Sequence, residues 1–225
     1  ATEEDTSADG NLFYEVFLGE VTTRTGDPGA GYAVMLDAAR RSHSSQLYQR
    51  AADIALQSRS GDYALAAAKA WQEDHPQSRD ANRYVLQILV ALNRVSETTA
   101  PLQQFIQQAP APSKVGILNA IPQMFGRVSD KAAAAKAVQE ALRTEMSNPS
   151  TGAAAWIALG RMRLAANDRT GSLESLAKAQ AIDPNYEGLA RLALELLDEG
   201  SNDAKLFVTN FLQQQPAPEI RMLYA

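Results

Sequence analysis

Apolar residues recur along this chain at helical rather than strand spacing, in blocks of about a dozen residues cut by short polar breaks. The clearest block covers residues 153–166, where Trp156, Leu159 and Leu164 share one face with Gly160 between them. A residue without a side chain at that point lets a second helix come close. Asn167-Asp168 breaks the pattern, and Asn tolerates the left-handed conformation that ends helices. In the following block Ser172, Leu176 and Ala179 recur at i, i+4 and i+7, small where a crossing must be tight, until Pro184 stops the run. The spacing predicts two helices joined by a short turn.

The same rhythm runs through the rest of the chain. Residues 11–24 predict a helix, with Gly19 in the place that Gly160 holds, and Gly26-Asp27-Pro28 predicts a turn into a helix over 29–41. Further helices are expected at 46–58, 63–73, 80–92 and 96–108, the last with Pro101 in its first turns, where a missing N–H is tolerated. Over 113–125 Pro122 predicts a kink or an early end near Ala120. Ser129 is the expected cap of a helix reaching Glu145, and another helix is expected over 186–198. A helix carrying Leu206, Phe207, Phe211 and Leu212, then a restart over 218–225, complete the pattern. No alternation of β-branched residues with hairpin turns predicts a strand.

Prolines at 76, 110, 149, 184 and 216 stand 34, 39, 35 and 32 residues apart. With the Trp, Leu-Gly, small-residue and Pro positions of 156–184, this period resembles the tetratricopeptide repeat (TPR), a unit of about 34 residues. One position departs: where that family carries an aromatic late in the first helix, this chain has Arg163. The resemblance implies an all-α fold, a right-handed TPR-like solenoid of helical hairpins, with about six helix pairs plus the start of a further helix. Residues 1–10 are expected to be a flexible acidic linker and 11–225 the array. An array that stops on the apolar residues Ile220, Met222, Leu223 and Tyr224 is expected to continue in a longer parent protein.

Composition narrows the function. The net charge is −5, and Glu3, Glu4, Asp5 and Asp9 supply −4 of it, leaving about −1 for the remainder. No basic run gathers phosphates, so nucleic acid is not an expected partner. The chain has no cysteine, which excludes disulfides, thiolate metal sites and a cysteine nucleophile. No apolar run reaches the roughly 18 residues of a membrane span.

Candidate chemistry is sparse. His43 and His75 are the only histidines, both in predicted loops, and neither belongs to a His-x-x-His or His-Glu-x-x-His pattern. Solvent contact or helix capping is their expected role. Glu187 and Glu195 flank Arg191 at ion-pair spacing. The glycine cluster 26–31 lacks the Gly-Lys-Ser/Thr ending that grips phosphate. The reading is therefore of a protein that is not an enzyme and needs no metal or cofactor.

The TPR resemblance further implies that the first helix of each pair lines an inner, concave face that holds a protein or peptide. Projecting that frame gives Val16 and Glu20, Tyr48 and Ala52, Arg83 and Gln87, Ala120 and Gln123, then Ile157, Arg161 and Leu164, and Leu189 with Ala193. Arg83, Arg161 and Tyr48 stand out among them. A second resemblance lies in residues 12–21, 36–41 and 46–55, which look like the N-terminal repeats of long TPR lipoproteins of Gram-negative bacteria. It implies a periplasmic, outer-membrane-tethered adaptor whose partners include a carboxy-terminal processing protease, its cell-wall hydrolase substrates or envelope-assembly proteins. Membrane contact would then come only through an N-terminal lipid anchor absent from this chain. The alternative is a cytosolic TPR co-chaperone or peptide-recognition regulator.

Overall fold

A computed structural model describes residues 3–198, with side chains from 11 to 197. The expected helices at 202–215 and 218–225 lie outside the described residues. Every regular element among the described residues is helical. Over residues 3–91 and 152–198 consecutive helices pack on one another as TPR-like hairpins, the form that the repeat period predicts. Contacts divide the chain between Leu92 and Asn93 into two units.

The first unit contains α1 (Glu3–Arg24), α2 (Pro28–Ser42), α3 (Ser45–Gln57), α4 (Gly61–Asp74) and α5 (Arg79–Ala91). Each packs on the next in chain order. α1 starts earlier than the apolar pattern suggests and takes in residues 3–10, read from the sequence as a linker. Acidic residues at a helix start suit the positive end of the helix dipole. Asp27, Ser44 and Ser78 each accept a backbone N–H three residues on, capping α2, α3 and α5. His43 and Arg59 turn the chain after α2 and α3 in the left-handed region. The core holds Met35, Tyr48, Ile54 and Trp71 among buried alanines, and continues to Leu65, Val85 and Leu89.

Small residues set how closely these helices approach. A Cβ on Gly31 would lie 1.9 Å from Thr23 Oγ1 and 2.9 Å from the Gly19 carbonyl oxygen. α1 and α2 therefore touch almost backbone to backbone, and only glycine fits there.

The second unit contains a short 3-10 turn (Val95–Glu97), α6 (Thr99–Gln107), α7 (Ala111–Met124), α8 (Lys131–Ala141), α9 (Arg143–Met146), α10 (Gly152–Ala165), α11 (Arg169–Ile182) and α12 (Gly188–Asp198). α10 is its hub, packing on α7, α8, α11 and α12. Its neighbour α11 follows the turn predicted at Asn167-Asp168: Asn167 takes φ 61°, and Asp168 accepts the Gly171 N–H at 2.9 Å. Ser172, Ser175, Leu176 and Ala179 are buried against α10. A Cβ on Gly160 would meet Leu192 Cδ2 at 2.5 Å and Ser175 Cβ at 3.2 Å.

Three local expectations need correction. α7 does not end near Ala120 but runs through Pro122 to Met124. Pro122 lies in the last turn, so it forfeits one backbone bond without severing a long helix. Ser129 does not cap α8; Asp130 does, accepting the Ala133 N–H at 2.8 Å. Ser129 instead bonds Asn93, donating its N–H to Oδ1 at 3.0 Å and accepting Nδ2–H at 2.6 Å. The helix expected to reach Glu145 breaks at Leu142 into α8 and α9. The break turns Glu145 inward, where it is buried, paired with Lys114 at 2.7 Å and accepting the Thr151 hydroxyl at 2.6 Å.

Arg163, the departure from the repeat pattern, also has a structural use. Its guanidinium donates to the Gly171 carbonyl at 2.9 Å and to Ser175 Oγ at 3.0 Å on α11, and to Gln139 on α8 at 3.2 Å. It joins three helices by hydrogen bonds where an aromatic would do so by packing.

Two stability measurements follow. Gly160→Leu overpacks the α10–α11–α12 contact and is expected to lose about 1–3 kcal/mol; an unchanged urea transition contradicts the close crossing. Lys114→Met removes the partner of the buried Glu145 and is expected to cost on the order of 3 kcal/mol in the same assay; a neutral result contradicts a stabilising buried pair.

Candidate functional site

The open feature closest to the expected inner face lies in the first unit, between α3 and α5. A groove of about 340 Å³ is lined by Asp53 and Leu56 from α3 and by Arg83, Tyr84, Gln87, Ile88 and Ala91 from α5. Helical periodicity explains the set: residues 84, 87, 88 and 91 fall on one stripe of α5, and 53 and 56 on the facing stripe of α3. Leu56 and Ile88 give an apolar floor, and Leu56 remains 41% exposed.

The polar rim is organised by Tyr84. Its hydroxyl donates to Asp53 Oδ1 at 3.1 Å and accepts from Gln49 Nε2 at 2.9 Å. Its ring packs edge-on against the buried Trp71, 5.5 Å between centroids. Burial, aided by the Asp53 carboxylate, raises the Tyr84 hydroxyl above its ordinary value, so it remains a donor at neutral pH. Arg83 reaches Asp80 at 2.9 Å within its own helix, in an exposed i,i+3 pair that water competes for. Its guanidinium lies 6.0 Å from the Tyr84 ring centroid. Gln87 is exposed beside it. The groove thus offers an apolar seat, a cation and an amide able to bond a peptide backbone.

The other projected residues take different places. Val16 is half-buried against the first core. Glu20 is tied to Arg50, with Oε1 at 2.5 Å from Nε and Oε2 at 2.7 Å from Nη2, joining α1 to α3. Tyr48 and Ala52 are buried, not groove-lining. The Tyr48 hydroxyl is raised above its ordinary value, first by burial and then by Asp74. Ile157, Leu189 and Ala193 are likewise corrected: all three are core residues of the second unit, with Leu164 packed beside them. Arg161 is held by Glu195 of α12 at 3.2 and 2.5 Å. Glu195 therefore serves Arg161, and only Glu187 pairs with Arg191. Ala120 and Gln123 are exposed on α7.

The histidines fasten loops. His43 ends α2, its N–H bonding the Ala39 carbonyl, and its Nδ1 lies 2.6 Å from Asp74 Oδ1. His75 Nε2 donates to the His43 carbonyl at 2.8 Å. The His43 contact, followed by Tyr48 and His75, holds the Asp74 carboxyl below its ordinary range. Among the described residues no three His, Cys, Asp or Glu side chains converge as metal ligands would. No described helix is long and apolar enough to cross a membrane.

Sequence reasoning missed a second cavity. It has a volume of about 500 Å³ and lies among α2, the end of α3 and the start of α4, with Pro28, Tyr32, Ala55, Ser58 and Tyr63 in its wall. Tyr32 donates to the Tyr63 carbonyl at 3.0 Å, and the two rings lie 5.4 Å apart. The spacing 32 to 63 is close to one repeat, a signal that equivalent positions carry the same residue.

Glu20 supplies a pH test. Its carboxyl is lowered from the ordinary 4.5, chiefly by the Arg50 hydrogen bond. A lowered folded-state value stabilises the fold above the unfolded value and is lost as pH falls through the folded value. Melting temperature should therefore drop on acidification below about pH 4.5, less steeply in Glu20→Gln than in the parent. Parallel acid profiles contradict the link.

No protein-family profile matches the chain, and no curated protein does. Among solved structures it is similar to the crystal structure of PilW, a widely conserved type IV pilus biogenesis factor, at 16% identity over 95% of this chain and 98% of that one, TM-score 0.44. It is similar to residues 41-end of MamA from Desulfovibrio magneticus RS-1 at 12% identity over 78% of this chain and 97% of that one, TM-score 0.43. A further crystal structure of MamA protein is similar at 16% identity over 75% and 90% of the two chains, TM-score 0.39.

Proposed function

We propose that this chain is a non-enzymatic protein-interaction scaffold that holds a segment of another protein against the α3–α5 groove. The supporting observation is the groove itself. An apolar floor of Leu56 and Ile88 lies under Arg83 and Gln87, and the contacts of Arg83, to Asp80 and the Tyr84 ring, both stay on α5 itself. That combination suits an extended or helical polypeptide that seats an apolar side chain and presents polar groups to the rim.

The lipoprotein resemblance of residues 12–55 extends this reading to a periplasmic adaptor tethered to the outer membrane. Its partner is then a carboxy-terminal processing protease, a cell-wall hydrolase substrate or an envelope-assembly protein. A signal sequence ending in Leu-x-x-Cys in the full-length gene supports that extension, and a leaderless gene removes it.

The groove is tested by substitution. The double variant Arg83→Glu, Gln87→Ala should bind a partner captured from the native host at least tenfold more weakly than the parent, with helix content and melting temperature unchanged. Equal affinity contradicts the groove assignment.

A further inference from the structure

The outward face of α1 carries an apolar seam that ends at Arg24. Phe13 is 74% exposed, Tyr14 64%, Phe17 58%, Leu18 43% and Val21 39%. Five of the eight large apolar residues exposed in the described chain therefore stand on this one helix. Tyr14, Phe17, Val21 and Arg24 follow a 3–4 spacing, the spacing of a helix-on-helix seam, with Phe13 and Leu18 flanking it. The acidic residues between 11 and 23 are drawn off this face: Glu15 pairs with Arg41 of α2, and Glu20 with Arg50 of α3. The opposite face of α1 is the one closed on α2 through Gly19 and Gly31.

We propose that this seam pairs with the same seam of a second copy, the two α1 helices running antiparallel about Phe17. Charge favours a copy of itself as the occupant. The chain is net negative, so two copies repel over most of their surfaces, but this strip brings no like charges together because its glutamates are already neutralised by arginines. Antiparallel pairing also runs the Arg24 end of each helix toward the acidic N-terminal end of the other. Area agrees. At their exposures the three rings offer roughly 400 Å² and the two aliphatic side chains roughly 100 Å² more. Two copies therefore bury about 1,000 Å², the lower bound for a specific interface. A self-complementary two-fold contact of that size gives a weak, closed dimer.

The test is weight-average mass by sedimentation, from low micromolar to several hundred micromolar chain. The parent is expected to rise toward twice the monomer mass, and Phe13→Glu with Phe17→Glu to stay monomeric throughout with unchanged far-ultraviolet circular dichroism. Because the chain has no cysteine, Phe17→Cys adds a readout that does not depend on the glutamate variant folding. Mild oxidation should link it to itself, while Lys136→Cys, exposed on α8, should remain unlinked. A parent that is monomeric at every concentration overturns the proposal, whatever other protein the seam binds. A dimer that survives the double substitution overturns it too, because the contact then lies elsewhere. Failure of Phe17→Cys to link would do the same. None of these outcomes bears on the α3–α5 groove.

Discussion

Two helices can approach to backbone contact only where neither carries a side chain of any size at the crossing, and that constraint shapes both units. Gly31 against Thr23 and Gly19 does this for α1 and α2. Gly160 against Ser172 and Ser175 does it for α10 and α11. Tight hairpins leave alanine-sized spaces, and the cores are accordingly rich in alanine, with a few large side chains such as Met35, Trp71, Leu159 and Leu176 between layers. Turns are correspondingly short. They are made by one left-handed residue followed closely by a side-chain cap, as at His43 with Ser44 and Asn167 with Asp168.

This construction separates packing from binding. Residues on the inner stripe of each helix are consumed by the next hairpin, and only those at the edge of a stripe remain open. In the first unit the edge positions of α3 and α5 leave the groove under Arg83, with Tyr84 holding Asp53 and Gln49 in place. In the second unit the equivalent edge is closed by Arg161 bridging to Glu195. A long cation thus pairs only within its own helix in one unit, as Arg83 does with Asp80, and fastens two helices in the other, as Arg161 does through Glu195.

What could be read from the chain alone divides along the same line. Signals that act within a few residues were legible: the Asn167 turn, the Pro184 stop, the small positions at 160, 172 and 179. Signals that depend on the phase of a helix were not. Tyr48 adjoins the exposed Gln49, and a phase error of one residue, about 100°, moves a side chain from groove to core; Ile157 lies where no residue from 151 to 160 is exposed, so the sequence marks no outer face there. Partners distant in sequence were invisible as well. Arg161 meets Glu195 and Lys114 meets Glu145 across more than thirty residues, and Asn93 takes Ser129 from its predicted capping role across 36. Pro122 does not end the helix early because its cost depends on how much helix remains beyond it, and here only Gln123 and Met124 do.

The central claim is that another polypeptide lies against α3 and α5. Amide hydrogen exchange on the chain with and without its bound protein partner addresses it most directly. The account predicts slowed exchange concentrated in Ser45–Gln57 and Arg79–Ala91, with α4 little changed. Protection confined to other helices, or none in these two, would contradict it.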